Sequence, residues 1–262
     1  MFPPEIDLRP AAYLEQLGTI FARFGAATQD SGNISYGVQT VDARYFVKTA
    51  GEPDNPTPYL DFDGRVALLR NAVELARSVT HAALPALHAL IESPAGPVLV
   101  YEWRDGDLLG PALERFKALP TQEILTALNS LYDLHAELDA GGWVEGDFYD
   151  SAMLYDFPSR RLTVMDLDTY RRGPYRNTMG RMFGSSRFMA PEEHVLGAPI
   201  DTRTTAYVMA RTAQIFLTDA PSPLHAVLTE ATTTRFPSYQ AFHEAWLTAS
   251  STIGDKLANR AT

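Results

Sequence analysis

Lys48 closes the apolar run Arg44-Tyr45-Phe46-Val47-Lys48, and two acidic segments follow far downstream. One holds Asp147, in Val144-Glu145-Gly146-Asp147; the other holds Asp166 and Asp168, in Val164-Met165-Asp166-Leu167-Asp168. These residue types suit phosphoryl transfer. That reaction needs a cation on the phosphates, carboxylates on magnesium, a carboxylate near the incoming hydroxyl, and exclusion of water. A lysine that ends a Tyr-Phe-Val strand is costly to bury unless an anion meets it, which suits a phosphate contact. The same lysine can instead snorkel from a strand end to solvent. Gly32 and Asn33, within Asp30-Ser31-Gly32-Asn33-Ile34-Ser35, would cradle phosphate through backbone N–H groups, or form a plain hairpin turn. Asp147 and Asp166 are nineteen positions apart and bracket an expected hairpin, which would bring both carboxylates to one end of it. Aspartate is also common at turns. The apolar run Leu162-Thr163-Val164-Met165 leading straight into an acidic pair argues for more than turn chemistry.

The elements that must position these residues change character along the chain. Apolar spacing predicts an N-terminal helix over Ala11–Phe24. Two short strands, Tyr36–Thr40 and Arg44–Thr49, make a hairpin through a turn at Asp42. A proline-rich loop, Gly51–Pro58, and an amphipathic helix, Arg65–Val79, come next. A strand pair then flanks Pro94-Ala95-Gly96-Pro97, its second member being Val98–Trp103. After Gly106 helical periodicity dominates from Leu113 to Leu138, broken at Gly141-Gly142. Strands around Met153–Tyr155 and Leu162–Met165 follow. Apart from a loop over Arg171–Gly184, the remainder reads as helices with proline breaks. The expected division is an N-terminal helical extension over 1–27, a nucleotide-binding β lobe over 28–104, and a lobe with the catalytic and activation-like segments over 105–262.

Composition narrows the setting. The chain has 262 residues, a formal charge of −10 and no cysteine, so disulfides and thiolate metal sites are excluded and a reducing cytoplasm is expected. Its acidity argues against a nucleic-acid or anionic-membrane partner. No apolar run is long enough to span a bilayer, and Met-Phe-Pro-Pro-Glu-Ile-Asp-Leu-Arg-Pro lacks the features of a secretion signal. His243-Glu244-Ala245-Trp246-Leu247 begins like a zinc-binding helix but has leucine where the second histidine must stand.

The segment Gly184-Ser185-Ser186-Arg187-Phe188-Met189-Ala190-Pro191-Glu192 resembles the end of a protein-kinase activation segment, G-T-x-x-Y-M-A-P-E. Lys48, the hinge-like Tyr101-Glu102-Trp103, Asp147, Asp166 and Ala190-Pro191-Glu192 also stand in the kinase order. Arg235-Phe236-Pro237-Ser238, with Phe242 and Trp246-Leu247, is similar to the segment whose arginine pairs with the A-P-E glutamate. The chain thus resembles the protein-kinase-like superfamily from about Thr28 to Leu247, with the features of bacterial Ser/Thr protein kinases. Glu145-Gly146-Asp147 is also similar to the His-Gly-Asp of aminoglycoside phosphotransferases.

The resemblance implies an α+β, two-lobed protein-kinase-like fold, with a small antiparallel β lobe carrying one helix and a larger, mostly helical lobe, holding ATP between them. It implies ATP and Mg2+ as cofactors. Lys48 would contact the phosphates and Asp147 would orient the acceptor hydroxyl. Asp166 would hold magnesium, the backbone of Glu102, Trp103 and Arg104 would receive adenine, and Glu192 and Arg235 would form a structural ion pair. Where the family has a metal-binding asparagine this chain has Ala152, so Asp150 or Asp168 is expected to substitute. The phenylalanine and glycine of the D-F-G motif are Leu167 and Asp168. Glu74 is the nearest acid to the position that pairs the lysine, with Asn71 the other polar candidate. The expected activity is transfer of the γ-phosphate to a Ser/Thr hydroxyl of an unknown protein. A small-molecule acceptor, sugar or antibiotic, is one alternative; a pseudokinase that binds nucleotide or acts as a scaffold is the other.

Overall fold

The computed structural model of the chain describes residues 2–25, 31–54 and 60–258. Asp30, Thr28 and the expected boundary at 27/28 lie outside the described residues. The chain divides into two compact units, Met1–Arg104 and Asp105–Thr262.

The first unit is built on one antiparallel sheet. Helix α1 (Pro10–Leu17) leads into β1 (Thr19–Phe24), followed by β2 (Ile34–Gln39), β3 (Arg44–Thr49), α2 (Phe62–Ser78), β4 (Leu87–Ile91) and β5 (Val98–Glu102). The sheet order is β1-β2-β3-β5-β4. The expected N-terminal helix is therefore only half right. It stops at Gly18, and Thr19–Phe24 forms an edge strand whose burial alternates residue by residue. Thr-Ile-Phe-Ala-Arg-Phe satisfies both helical and strand spacing, and its β-branched and aromatic residues favour the strand. Gly18 has no room for a side chain, because a Cβ there would stand 2.3 Å from the Gln39 carbonyl oxygen.

The alternation of β3 assigns the faces of this sheet. Tyr45 and Val47 join Ile34, Tyr36, Val38, Val98, Val100 and Leu14 in one core layer. The opposite face packs Ala50 and Leu99 against Leu69, Ala72 and Val73 of α2. Lys48 lies on that second face, beside α2. Asp61 caps α2, accepting a hydrogen bond from the Gly64 amide at 2.8 Å.

The second unit is mostly helical: α3 (Leu109–Lys117), α4 (Thr121–Ala140), α5 (Thr202–Phe216), α6 (Ser222–Thr232) and α7 (Tyr239–Ala258). The expected single helical stretch over Leu113–Leu138 is two helices, since Pro120 occupies the N-cap of α4. Short strands punctuate them: β6 (Asp107–Leu108), β7 (Trp143–Val144), β8 (Met153–Asp156), β9 (Arg161–Val164), β10 (Arg171–Arg172), β11 (Tyr175–Arg176) and β12 (Pro199–Ile200). They pair as β6-β8-β9, β7-β10 and β11-β12, so part of the expected loop over Arg171–Gly184 is strand. The helical core closes through buried aromatic groups. Tyr132 donates to the Met209 carbonyl at 2.8 Å, Tyr239 to the Tyr132 carbonyl at 2.8 Å, and the Trp246 indole to Asn129 Oδ1 at 2.7 Å. Taken together the two units are an α+β protein. Among the described residues no helix is long and apolar enough to cross a membrane.

Candidate functional site

In the first unit, Lys48 is 7% exposed and stands directly opposite Ser35 on β2 and Leu99 on β5. Cross-strand partners share a face, so the lysine stem runs beside a buried serine and a core leucine. Gly32 (φ +87°) and Gly51 (φ +74°) adopt left-handed backbone, and a Cβ on Gly51 would sit 2.3 Å from the Gly32 carbonyl oxygen. That close approach brings the start of β2 over the end of β3, next to Lys48. Asn33 is 3% exposed and its Oδ1 has no hydrogen-bond partner. Its backbone N–H donates to Ser31 Oγ at 3.4 Å.

On α2, Ala72 and Val73 face the core while Glu74 is exposed and Asn71 half-buried. At the end of β5 the Glu102 amide is already committed to the Ala86 carbonyl at 2.8 Å. The Glu102 carboxylate meets Arg104 at 2.8 Å, and the Trp103 ring packs edge-on to Phe21 at 4.8 Å.

In the second unit, two hydrogen bonds bind the segment around Asp147 to the segment around Asp166. The Thr169 hydroxyl donates to the Gly146 carbonyl at 2.6 Å, and the Met165 amide donates to the Ala152 carbonyl at 2.9 Å. Residues 147–151 therefore run alongside 166–168, and Asp147, Asp150, Asp166 and Asp168 gather in one strip of backbone. Gly146 makes the approach possible, since a Cβ there would lie 2.9 Å from the Thr169 carbonyl oxygen.

Asp147 and Asp166 both hold left-handed backbone, with φ +60° and +63°. For a residue with a Cβ that conformation costs about 1–2 kcal/mol, and such strain gathers at functional sites. Among the described residues, the other non-glycine positions with positive φ are Arg160 and Arg235. Arg160 turns the β8–β9 hairpin; Arg235 follows α6, its amide bonded to the Glu230 carbonyl at 2.8 Å. Those two serve turns. The two aspartates are the pair expected from the sequence to share one end of a hairpin.

The floor of this strip is buried and polar. His135 Nδ1 bonds the Leu131 carbonyl at 2.8 Å and its Nε2 meets the Tyr170 hydroxyl at 2.8 Å. The backbone carbonyl fixes the proton on Nδ1, so Nε2 accepts from the tyrosine. The Phe148 ring packs against the imidazole at 5.3 Å. His135 is thus a packing and bonding residue below the loop.

Glu145, two residues before Asp147, is 1% exposed, and neither carboxyl oxygen has a hydrogen-bond partner. Burial pushes its carboxyl well above the usual range, and the charges of Glu193, Asp147 and Glu192 push further in the same direction. The Phe148 amide opposes the rise from outside hydrogen-bonding geometry. Glu193 is raised to about 7, first by burial, although its carboxylate accepts from the Ala190 amide at 2.6 Å. The sequence placed Glu145 in the Glu145-Gly146-Asp147 motif but gave neither glutamate a role of its own. The signal available was Glu145 standing in an otherwise apolar run, Trp143-Val144-Glu145-Gly146.

Glu192 and Arg235 form the expected ion pair, and the Thr204 hydroxyl donates to the same carboxylate at 2.8 Å. Replacing Arg235 with glutamine should destabilise the protein by about 1.5–3 kcal/mol, the range for a hydrogen bond to a charged group. Urea denaturation reads the change, and an unaltered midpoint would mean the pair is ornamental. Asp150, expected as a magnesium ligand, is 2% exposed and bonded to Arg187 of the activation-like segment. Asp168, the other expected substitute, is also buried. Among the described residues no cluster of three or more His, Cys, Asp or Glu could hold a metal unaided. Magnesium does not require one, because it keeps several waters and takes one or two carboxylates alongside substrate phosphate. His243 pairs with Asp133 at 3.1 Å and takes no part in this site.

No known protein-family model matches the chain. No curated protein is significantly similar to it. The functional reading therefore rests on the residues themselves.

Proposed function

We propose that the chain is an ATP- and magnesium-dependent phosphotransferase of protein-kinase-like fold, acting on a Ser/Thr hydroxyl of a protein. The observation that carries this reading is the pairing of Asp147 and Asp166, two carboxylates on strained left-handed backbone in adjoining, hydrogen-bonded segments. The Glu192–Arg235 ion pair and the buried Lys48 beside a close-packed glycine turn support it. In this reading Asp147 orients the acceptor hydroxyl and takes its proton, while Lys48 neutralises phosphate charge. Asp166 and Asp168 offer the hard oxygen ligands that Mg2+ prefers; bound there, the ion would neutralise charge on the phosphates.

The test follows the γ-phosphate of labelled ATP with magnesium, for the wild type and for Asp147→Asn. Label that moves to protein with the wild type and stays on ATP with the variant supports the assignment. Label that moves to a soluble sugar or aminoglycoside in place of protein would make the acceptor a small molecule. A second reading, a nucleotide-binding pseudokinase, draws on one observation: Asp150, a candidate replacement for the metal-binding asparagine, is occupied by Arg187. No label movement with nucleotide still bound would decide for it.

A further inference from the structure

The chain carries a formal charge of −10, yet residues 169–191 hold five arginines and no acidic residue. Three of the five are spent on structure. Arg171 lies over the Tyr175 ring at 4.8 Å and Arg172 over the Trp143 ring at 4.6 Å; Arg176 donates to the Gly197 carbonyl at 2.8 Å. Arg181 and Arg187 are different. Both are exposed, and both belong to the segment that meets the loop carrying Asp147.

Arg181 donates to the Gly184 carbonyl at 2.9 Å, and a Cβ on Gly184 would touch Asp147 Oδ1 at 3.3 Å. The Arg181 guanidinium is therefore one peptide away from the proposed base. Arg187 reaches the other end of the same loop through its bond to Asp150. Arg211 of α5 adds a third cation, donating to the Arg187 carbonyl at 3.3–3.4 Å and to Gln214 Oε1 at 2.6 Å. Among the described residues Arg181 and Arg211 bond only neutral oxygens, so their charge is not cancelled by a carboxylate. Two uncompensated cations and one half-compensated cation thus gather at the 181–187 segment, which meets the Asp147 loop at Gly184 and at Asp150, in a protein whose net charge would otherwise repel anions.

We propose that this arginine group selects the acceptor, and that the acceptor is a protein segment whose Ser or Thr is flanked by acidic side chains. The inference rests on the phosphotransferase reading above. A peptide is favoured over a phosphorylated small molecule because the three guanidinium groups are spread along an exposed segment and a neighbouring helix. A small anion is ordinarily held by groups that converge in a concave pocket. Met179, at 46% exposure, and Leu196, at 69%, add apolar surface of the kind an extended peptide covers, on loops joined by the Gly197–Asn177 backbone bond of 2.7 Å. Planar guanidinium forks bind carboxylates bidentately, which gives direction as well as charge.

The experiment compares three serine peptides of equal length, with Glu, Ala or Lys flanking the acceptor, as substrates for the full chain with labelled ATP and magnesium. The acidic peptide should be phosphorylated with kcat/KM about tenfold higher per productive guanidinium contact, and the advantage should shrink as salt is raised. Arg181→Glu/Arg211→Glu should lower or reverse that preference. These positions bond only neutral partners, and the wild-type comparison stands by itself if the double variant does not fold. Equal or better use of the alanine or lysine peptide would overturn the acidic-acceptor inference while leaving the phosphotransferase reading intact. Transfer to a sugar phosphate in preference to every peptide would also overturn it. No transfer to any acceptor would sink the phosphotransferase reading and this inference with it.

Discussion

Replacing Asp147 with asparagine should lower phosphate transfer about 100- to 10,000-fold, the span a positioned general base supplies, without weakening the fold. Asparagine keeps the shape of the side chain and tolerates left-handed backbone well. It also removes a negative charge that bears on Glu145 and Glu193. The variant should therefore unfold at a temperature equal to or above that of the wild type. Backbone strain gives an independent check at Asp166, where φ is +63°. Asp166→Ala and Asp166→Gly both delete the carboxylate and should both lose transfer. They differ only in the Cβ, so the glycine variant should be the more stable by about 1 kcal/mol. Undiminished transfer by Asp147→Asn would remove the base assignment. An alanine variant as stable as the glycine variant would mean that Asp166 is not strained.

These two aspartates show what could be read in advance and what could not. Their positions at the edges of a hairpin were legible because Leu162–Val164 and Met153–Tyr155 are short β runs separated by turn residues. The Glu192–Arg235 pair was legible through the Ala190-Pro191-Glu192 stretch, although its partner lies forty-three positions downstream. Left-handed backbone at an aspartate leaves no mark in a sequence, since any turn tolerates the residue. The bond between Asp150 and Arg187 was hidden for another reason. It joins an aspartate valued for possible metal chemistry to an arginine in a motif position that accepts any residue. The misread stretch Thr19–Phe24 failed on periodicity itself, because its apolar residues fit a helix and a strand equally well over six positions. The pairing partner that decides the matter, β2, lies beyond a segment that local spacing cannot see across.

The buried carboxyls should make the protein lose stability as pH rises through neutrality. Both Glu145 and Glu193 are raised from the ordinary value of 4.5, Glu193 to about 7. Above pH 4.5 the unfolded chain releases protons that the native state still holds, so protons favour the fold. The stability involved is fully present below about pH 4.5 and is lost as pH climbs to about 7, where Glu193 itself titrates in the native state. For Glu193 the loss is at most about 3.5 kcal/mol, at about 1.4 kcal/mol per unit. Glu145 adds to it in the same direction, first through its burial and then through the neighbouring carboxylate charges. Glu193→Gln keeps an oxygen for the Ala190 amide while removing the titration. It should match the wild type near pH 4.5 and exceed it near pH 8, with a flatter curve between, as read by urea denaturation at each pH. The same measurement on Asp147→Asn should show a milder slope than the wild type, since one of the charges that raises both carboxyls is gone. If the wild type and Glu193→Gln run parallel across this range, the native Glu193 is ionised throughout. The acidic floor beneath Asp147 would then be solvated rather than sealed.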